Sequence, residues 1–133
     1  MTKRVLILDD NADNRKLLVY ALHGHNYEIC EAALGQEVLA MLENGVGSFD
    51  LALLDVELPD GDGLTLATKL REHSPEIVLI MLSANDSVDL VQHARALGAN
   101  AYVVKPFNLP KLLEFIRDFD RQTITADTAM QRF

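Results

Sequence analysis

The 133-residue sequence has the length of one ordinary domain, and 49% apolar residues are enough to fill a core without metal or disulfide staples. Its single cysteine, Cys30, excludes an internal disulfide and suits a reducing, cytoplasmic setting. A formal net charge of −8 with no basic run argues against a direct grip on nucleic acid, and no apolar stretch is long enough for a signal peptide or a membrane span.

Apolar runs and helical patterns alternate five times along the chain. Residues 4–8, RVLIL, read as a strand buried on both faces, because the run is continuous rather than alternating. Asn11 can cap a helix reaching about Gly24, with Leu17, Leu18, Ala21 and Leu22 on one face. Residues 27–32, YEICEA, form a shorter and more mixed strand at or near an edge. A second helix follows Gly35 and points Val38, Leu39, Met41 and Leu42 inward. Residues 51–54, LALL, are a third strand, and the breaker-rich turn LPDGDG leads to a third helix over about 64–72. Residues 77–82 form the fourth strand, and a helix over about 87–97 closes at Gly98. Residues 101–104, AYVV, are the fifth. The last helix starts after Asn108, tolerates Pro110 in its first turn, and carries a core stripe of Leu112, Leu113, Phe115, Ile116 and Phe119. Its charges Lys111, Glu114, Arg117 and Asp118 read as solvated. Beyond Arg121 the periodicity is lost. Residues 1–121 are therefore expected to be the domain, and 122–133 a tail, a short extra turn or the start of a linker.

Five strand–helix units imply an α/β fold: a single three-layer domain whose five-stranded parallel sheet has helices on both faces. Ligands of such sheets lie beyond the carboxyl ends of the strands. There the sequence places Asp9 and Asp10 after the first strand, Asp55 after the third, Ser83 after the fourth, and Lys105 with Pro106 after the fifth. Singly, each has an ordinary explanation. The two aspartates could cap a helix, Asp55 and Asp60 could be turn residues, Ser83 a satisfied strand end, and Tyr102 a core aromatic. The four histidines, His23, His25, His73 and His93, read as solvated, and Cys30 as a small buried apolar residue.

Together the strand-end residues mean more. Three neighbouring carboxylates raise one another's pKa unless a cation intervenes, and an all-oxygen set completed by water suits Mg²⁺. Lys105 adds a fixed positive charge opposite them. The first loop, DDNADN, has neither a dinucleotide fingerprint nor a P-loop, and its acids would repel phosphate unless a metal lay between. A phosphoryl group carried on an aspartate beside Mg²⁺ fits better, with metal and lysine neutralising the charge of the transition state.

The pieces LILDDN, LLDVELPDGDGL, IMLSA and GANAYVVKPF, in that order between Val5 and Phe107, resemble a response-regulator receiver domain of the chemotaxis-regulator type. The resemblance implies a flavodoxin-like (αβ)5 fold with strand order 2-1-3-4-5. It implies that Asp55 is the phosphoacceptor and that Asp10, Asp55 and the Glu57 backbone carbonyl ligate Mg²⁺, with Asp9 acting through water. Ser83 and Lys105 would each pair with a phosphoryl oxygen, and the Lys105–Pro106 bond would be cis. Tyr102 would be a switch aromatic, turning inward as Ser83 moves toward the phosphoryl group. Glu57 and Asn85 stand where the family tunes phosphoryl lifetime, and Glu57 departs from the usual choice by setting a negative side chain there. Asp62 and Gly63 match the loop that leads into the third helix.

The implied partners are a histidine kinase or phosphotransfer protein, and an effector or second copy at the face of helix four, strand five and helix five. The protein would be a switch that catalyses only its own phosphorylation and slow dephosphorylation. Two other classes compete. A haloacid-dehalogenase-like phosphohydrolase usually carries D-x-D where this chain has DVE, and it has a cap domain. A flavodoxin-like cofactor binder needs a first loop rich in Ser, Thr and Gly. No effector domain follows residue 133, so the chain is expected to act alone or to be part of a longer regulator or hybrid kinase. Its kinase, pathway and output stay open.

Overall fold

The apolar runs are continuous because successive residues of each inner strand enter two different cores. In the computed structural model, which describes residues 2–45 and 47–133, β1 (Lys3–Leu8) buries Leu6 and Leu8 on one side and Val5 and Ile7 on the other. The elements then follow as α1 (Ala12–Ala21), β2 (Tyr27–Ala32), α2 (Gly35–Glu43), β3 (Leu51–Asp55), a two-strand hairpin of β4 (Glu57–Leu58) and β5 (Gly61–Asp62), and α3 (Gly63–His73). After these come β6 (Val78–Ser83), α4 (Val88–Ala96), β7 (Ala101–Val104), α5 (Leu109–Asp120) and β8 (Gln131–Arg132).

The main sheet is parallel throughout, in the order β2-β1-β3-β6-β7-β8. Its first five strands have the expected 2-1-3-4-5 arrangement. On one face Ala52, Leu54, Leu79, Met81 and Tyr102 pack with Val38 of α2, Leu66, Ala67 and Leu70 of α3, and Val91 and Ala94 of α4. On the other, Leu51, Leu53, Ile80, Leu82 and Val103 meet Leu18 and Ala21 of α1 and Leu112, Phe115, Ile116 and Phe119 of α5. Each large side chain so buried contributes roughly 1.5–3 kcal/mol, which makes both faces of the sheet strong determinants of register.

Helix starts are capped as their sequences suggest. Asn11 accepts from the Asn14 N–H at 3.0 Å, Asn108 from Lys111 at 3.2 Å, and Asp62 from Leu64 at 2.8 Å. The start of α2 is held from a distance: both Asp60 oxygens accept from the N–H groups of Gly35 and Gln36, each at 2.9 Å. Asp60 is thus a remote cap rather than a plain turn residue, and the LPDGDG turn is a small hairpin that carries it.

Three further expectations need correction. The sheet has a sixth strand, because the segment after Arg121 is not an aperiodic tail: it buries Ile124 and ends in β8, pairing along the open edge of β7. The lost periodicity reflects irregular backbone whose partners lie elsewhere in the chain. The fully buried Asn100 side chain holds it, its amide nitrogen lying 2.9–3.2 Å from the carbonyls of Thr125, Ala126 and Thr128. Its Oδ1 accepts from the Leu79 N–H and from Arg71. Second, Leu113 is exposed rather than part of the α5 core stripe, since Leu112 and Phe115 already fill the two adjacent inward positions. Third, His25 is not merely solvated. It pairs with Asp120, which also accepts from the Tyr27 hydroxyl, and it stacks on the Tyr27 ring, joining the start of β2 to the end of α5.

Asn100→Ala removes the partner of three carbonyls, the Leu79 N–H and the Arg71 guanidinium at once. Leaving buried polar groups unpaired costs about 1–3 kcal/mol each when they stay dry. The irregular segment can instead detach, so the expected loss is about 2–4 kcal/mol. Amide exchange should rise selectively in residues 122–133; a variant with unchanged exchange there would contradict the anchoring role.

Candidate functional site

Register carries the chemistry to one rim. Leu8 stands opposite Leu54, Asp55 opposite Leu82, and Ser83 opposite Val104, so the residues at these four strand ends emerge at one level. Ladder bonds continue through them: Asp9 N–H donates to Ala32 O at 3.2 Å, Val56 N–H to Leu82 O at 2.8 Å, and Lys105 N–H to Ser83 O at 2.8 Å. The chain leaves β1 for β2 on one side and returns to β3 on the other, so the rim between β1 and β3 is the topological switch point.

Here the structure brings together what the sequence scattered. Carboxylate oxygens of Asp9, Asp10 and Asp55 lie within 4.8 Å of one another. Lys105 Nζ is 2.9 Å from Asp55 Oδ2 and 3.0 Å from Asp9 Oδ2. Asp55 Oδ1 accepts from the Glu57 N–H at 3.0 Å. Asp9 and Asp55 are buried and Asp10 is exposed. Lys105–Pro106 is a cis peptide bond.

The three acids are held differently. Asp9 is committed to protein: Oδ1 accepts from the Asn11 N–H at 2.9 Å, while Oδ2 faces Lys105 and the Asn14 amide at 3.4 Å. Arg15 braces the same turn through the Asp9 carbonyl at 2.7 Å. Asn14 and Arg15 were not candidates in the sequence, since a polar first turn of a helix looks the same whether or not it faces a site. Asp10 makes no hydrogen bond or ion pair among the described residues. Its carboxylate stands open toward its two neighbours.

Ser83 is fully buried, and its hydroxyl lies 2.7 and 2.8 Å from the two Glu57 oxygens while accepting from the Asn85 N–H at 2.9 Å. Tyr102 is fully buried too, so its ring already faces inward while Ser83 is held by Glu57, which corrects the expectation that it turns in only as Ser83 moves. Its hydroxyl donates to the Asn85 carbonyl. The side chain of Glu57 had no assigned contact in the sequence, because 26 residues separate it from Ser83.

Burial pushes the Asp55 carboxyl up to about 6; Lys105 opposes this, the Asp9 charge adds to it, and the Glu57 N–H lowers it slightly. Burial also works against the charge of Lys105, but Asp55 and Asp9 outweigh it and hold its pKa above the usual value. An excess of buried negative charge with only one lysine against it is the electrostatic setting a divalent cation relieves, and hard carboxylate and carbonyl oxygens are the donors Mg²⁺ takes. The donor set therefore fits that ion.

A pH dependence follows. The folded chain holds the Asp55 proton more tightly than the unfolded chain, where aspartate titrates near 3.9. The Asp55 contribution to metal-free stability is therefore fully present below about pH 4 and is lost as pH rises from there through about 6. The loss attributable to this group is about 3 kcal/mol, at about 1.4 kcal/mol per pKa unit. Urea unfolding in chelator should show that component in the native chain and not in Asp55→Asn; parallel profiles would contradict it.

Comparison with known proteins adds an independent line. A sequence model described as "Response regulator receiver domain" matches residues 5–117. The transcriptional regulatory protein SrrA of Staphylococcus aureus is 35% identical over 125 residues, 92% of this chain and 50% of the regulator. The chain thus spans about half the length of the curated relatives it matches. Among solved structures, a CheY-like receiver domain protein from Methanospirillum hungatei superposes with a TM-score of 0.81 at 35% identity, covering 92% of this chain and 98% of that one. The chemotaxis response regulator CheY4 of Vibrio cholerae gives 0.75 at 29% identity, covering 88% and 98%.

Proposed function

The chain belongs to the response regulator receiver domain family, and we propose that it accepts a phosphoryl group on Asp55 from a histidine kinase or phosphotransfer protein and changes its partner binding in response. The observation that carries this reading is the buried Asp55 carboxylate, set between Lys105 at 2.9 Å and the two acids of the first loop. An acceptor so placed is a poor surface residue and a good nucleophile once its neighbours' charge is balanced.

Mg²⁺, held by Asp10, Asp55 and the Glu57 carbonyl with Asp9 behind a water, would supply that balance and shield the incoming phosphoryl oxygens. The open carboxylate of Asp10 suits a direct ligand, and the committed carboxylate of Asp9 suits an outer one. In the transfer an Asp55 oxygen forms the new P–O bond while the donor's P–N bond breaks, and the departing imidazole takes up a proton. Lys105 is already at the acceptor and moves with the developing charge onto a phosphoryl oxygen. Ser83 supplies a buried hydroxyl for another.

Ser83 and Tyr102 reach the same residue, Asn85, so a shift of the loop between β6 and α4 alters both. The face of α4, β7 and α5 is the place for an effector or a second copy to sense it. The protein acts as a cytoplasmic switch, and its only catalysis is on itself. Among the described residues, no helix is long and apolar enough to cross a membrane. Incubation with acetyl phosphate followed by intact mass measurement tests the reading. One phosphoryl adduct is expected with Mg²⁺ and none in chelator; an adduct indifferent to the metal would refute it.

A further inference from the structure

Ser83 has one hydroxyl proton and two claimants. In the structure Glu57 takes it, with both carboxylate oxygens within 2.8 Å of Ser83 Oγ. A phosphoryl group on Asp55 would need the same proton, since its oxygens only accept and the hydroxyl's lone pairs, one of them taken by the Asn85 N–H at 2.9 Å, cannot serve them. We propose that the Glu57 side chain is an internal acceptor that holds Ser83, and through it the β6–α4 loop and Tyr102, until a phosphoryl group on Asp55 displaces it.

This rests on Asp55 being the phosphoacceptor, and extends that reading to what holds the switch beforehand. The bonded line is continuous. Ser83 Oγ fixes Asn85, the Asn85 carbonyl takes the Tyr102 hydroxyl, and Asn85 Oδ1 accepts from the Ser87 N–H at 2.9 Å. Ser87 in turn caps α4 through the Leu90 N–H. A carboxylate on the exposed hairpin residue Glu57 therefore sets the position of the α4 N-terminus and of a fully buried tyrosine.

Displacement is electrostatically natural. Glu57, bonded to Asp55 through its N–H and to Ser83 through its side chain, shares the rim with Asp9, Asp10 and Asp55, and a phosphoryl group adds more negative charge beside it. Because Glu57 is exposed, its carboxylate regains water when it leaves. Removing the side chain leaves the Glu57 backbone carbonyl in place, so metal ligation by that atom is preserved.

Two measurements on the full chain test the proposal with Glu57→Ala and Glu57→Gln. The first is amide exchange of the metal-free protein without any phosphodonor. Glu57→Ala should speed exchange at Asn85 and Ser87 several-fold, while Glu57→Gln, which keeps an acceptor, should stay near the native rate. Unchanged exchange in Glu57→Ala would overturn the holding role. The second is affinity for beryllofluoride, a phosphoryl mimic, in Mg²⁺. Loss of the competitor should tighten binding by about tenfold in Glu57→Ala and by less in Glu57→Gln, whose amide oxygen still accepts from Ser83; equal or weaker binding in Glu57→Ala would overturn the competition. If neither native chain nor variants bind beryllofluoride, the acceptor reading fails and the competition with it. The exchange result still decides separately whether Glu57 holds the loop.

Discussion

Asp55→Asn is expected to abolish the Mg²⁺-dependent phosphoryl adduct while leaving the domain folded. The amide offers no anionic oxygen to form the P–O bond, so the loss should be complete rather than partial. The other acids do not replace it. Asp9 is pinned by the Asn11 N–H and Lys105, and Asp10 projects from the exposed side of the first loop. Structure should survive because Lys105 keeps its 3.0 Å pair with Asp9. The variant should even gain metal-free stability at neutral pH, up to about 3 kcal/mol, because the ionisation that burial penalises is gone. Loss of the adduct together with unfolding would be ambiguous; loss of the adduct with a raised urea midpoint is the expected pairing. A persistent adduct of native intensity would remove Asp55 from the acceptor role.

Gly63→Ala is expected to cost about 3 kcal/mol or more, although the substitution adds one methyl group at the start of a helix. A Cβ there would lie 2.0 Å from the Asp55 carbonyl oxygen, 2.9 Å from its carbon and 3.0 Å from the Val56 Cα. These are backbone atoms, so no rotamer change relieves the contact. The Gly63 N–H also donates to Val56 O at 2.9 Å, which holds the two segments at that separation. Overpacking in a well-packed site costs about 1–3 kcal/mol when side chains can yield, and rigid backbone puts this case at or above the upper end. Because the obstructed carbonyl belongs to Asp55, the strain falls on the acceptor, and phosphorylation should slow even where the variant still folds. Thr65→Ala, on the exposed side of the same helix, should stay within about 0.5 kcal/mol of the native chain in the same unfolding measurement. A Gly63→Ala variant as stable as Thr65→Ala would show that α3 can move away from β3 freely.

The inner strands were legible in the sequence because both their faces are buried: a continuous run such as VLIL fits a strand covered on both sides of a parallel sheet. Helix starts were legible where the cap is local, as at Asn11 and Asn108. The rim residues Asp9, Asp10, Asp55, Ser83 and Lys105 could be named because a parallel sheet delivers its strand ends to one side, and like charges there call for a cation. All five lie at one rim of the structure.

Contacts between segments with no shared period were beyond that kind of reading. Asp60 capping a helix 25 residues earlier, Asn100 fastening residues 125–128, and His25 with Tyr27 meeting Asp120 each join polar residues whose local sequence would serve equally well in water. The same is true of β8, which is too short to carry a pattern and exists because the edge of β7 offers it unpaired backbone groups. Glu57 is the sharpest case. Its sequence position foretold a negative charge near Asp55, but only the hairpin that turns β4 back toward β6 decided that the charge would fall on Ser83. Apolar periodicity is a property of neighbours along the chain and survives in one dimension. A hydrogen bond between distant polar groups depends on distance and direction, and those exist only once the chain has folded.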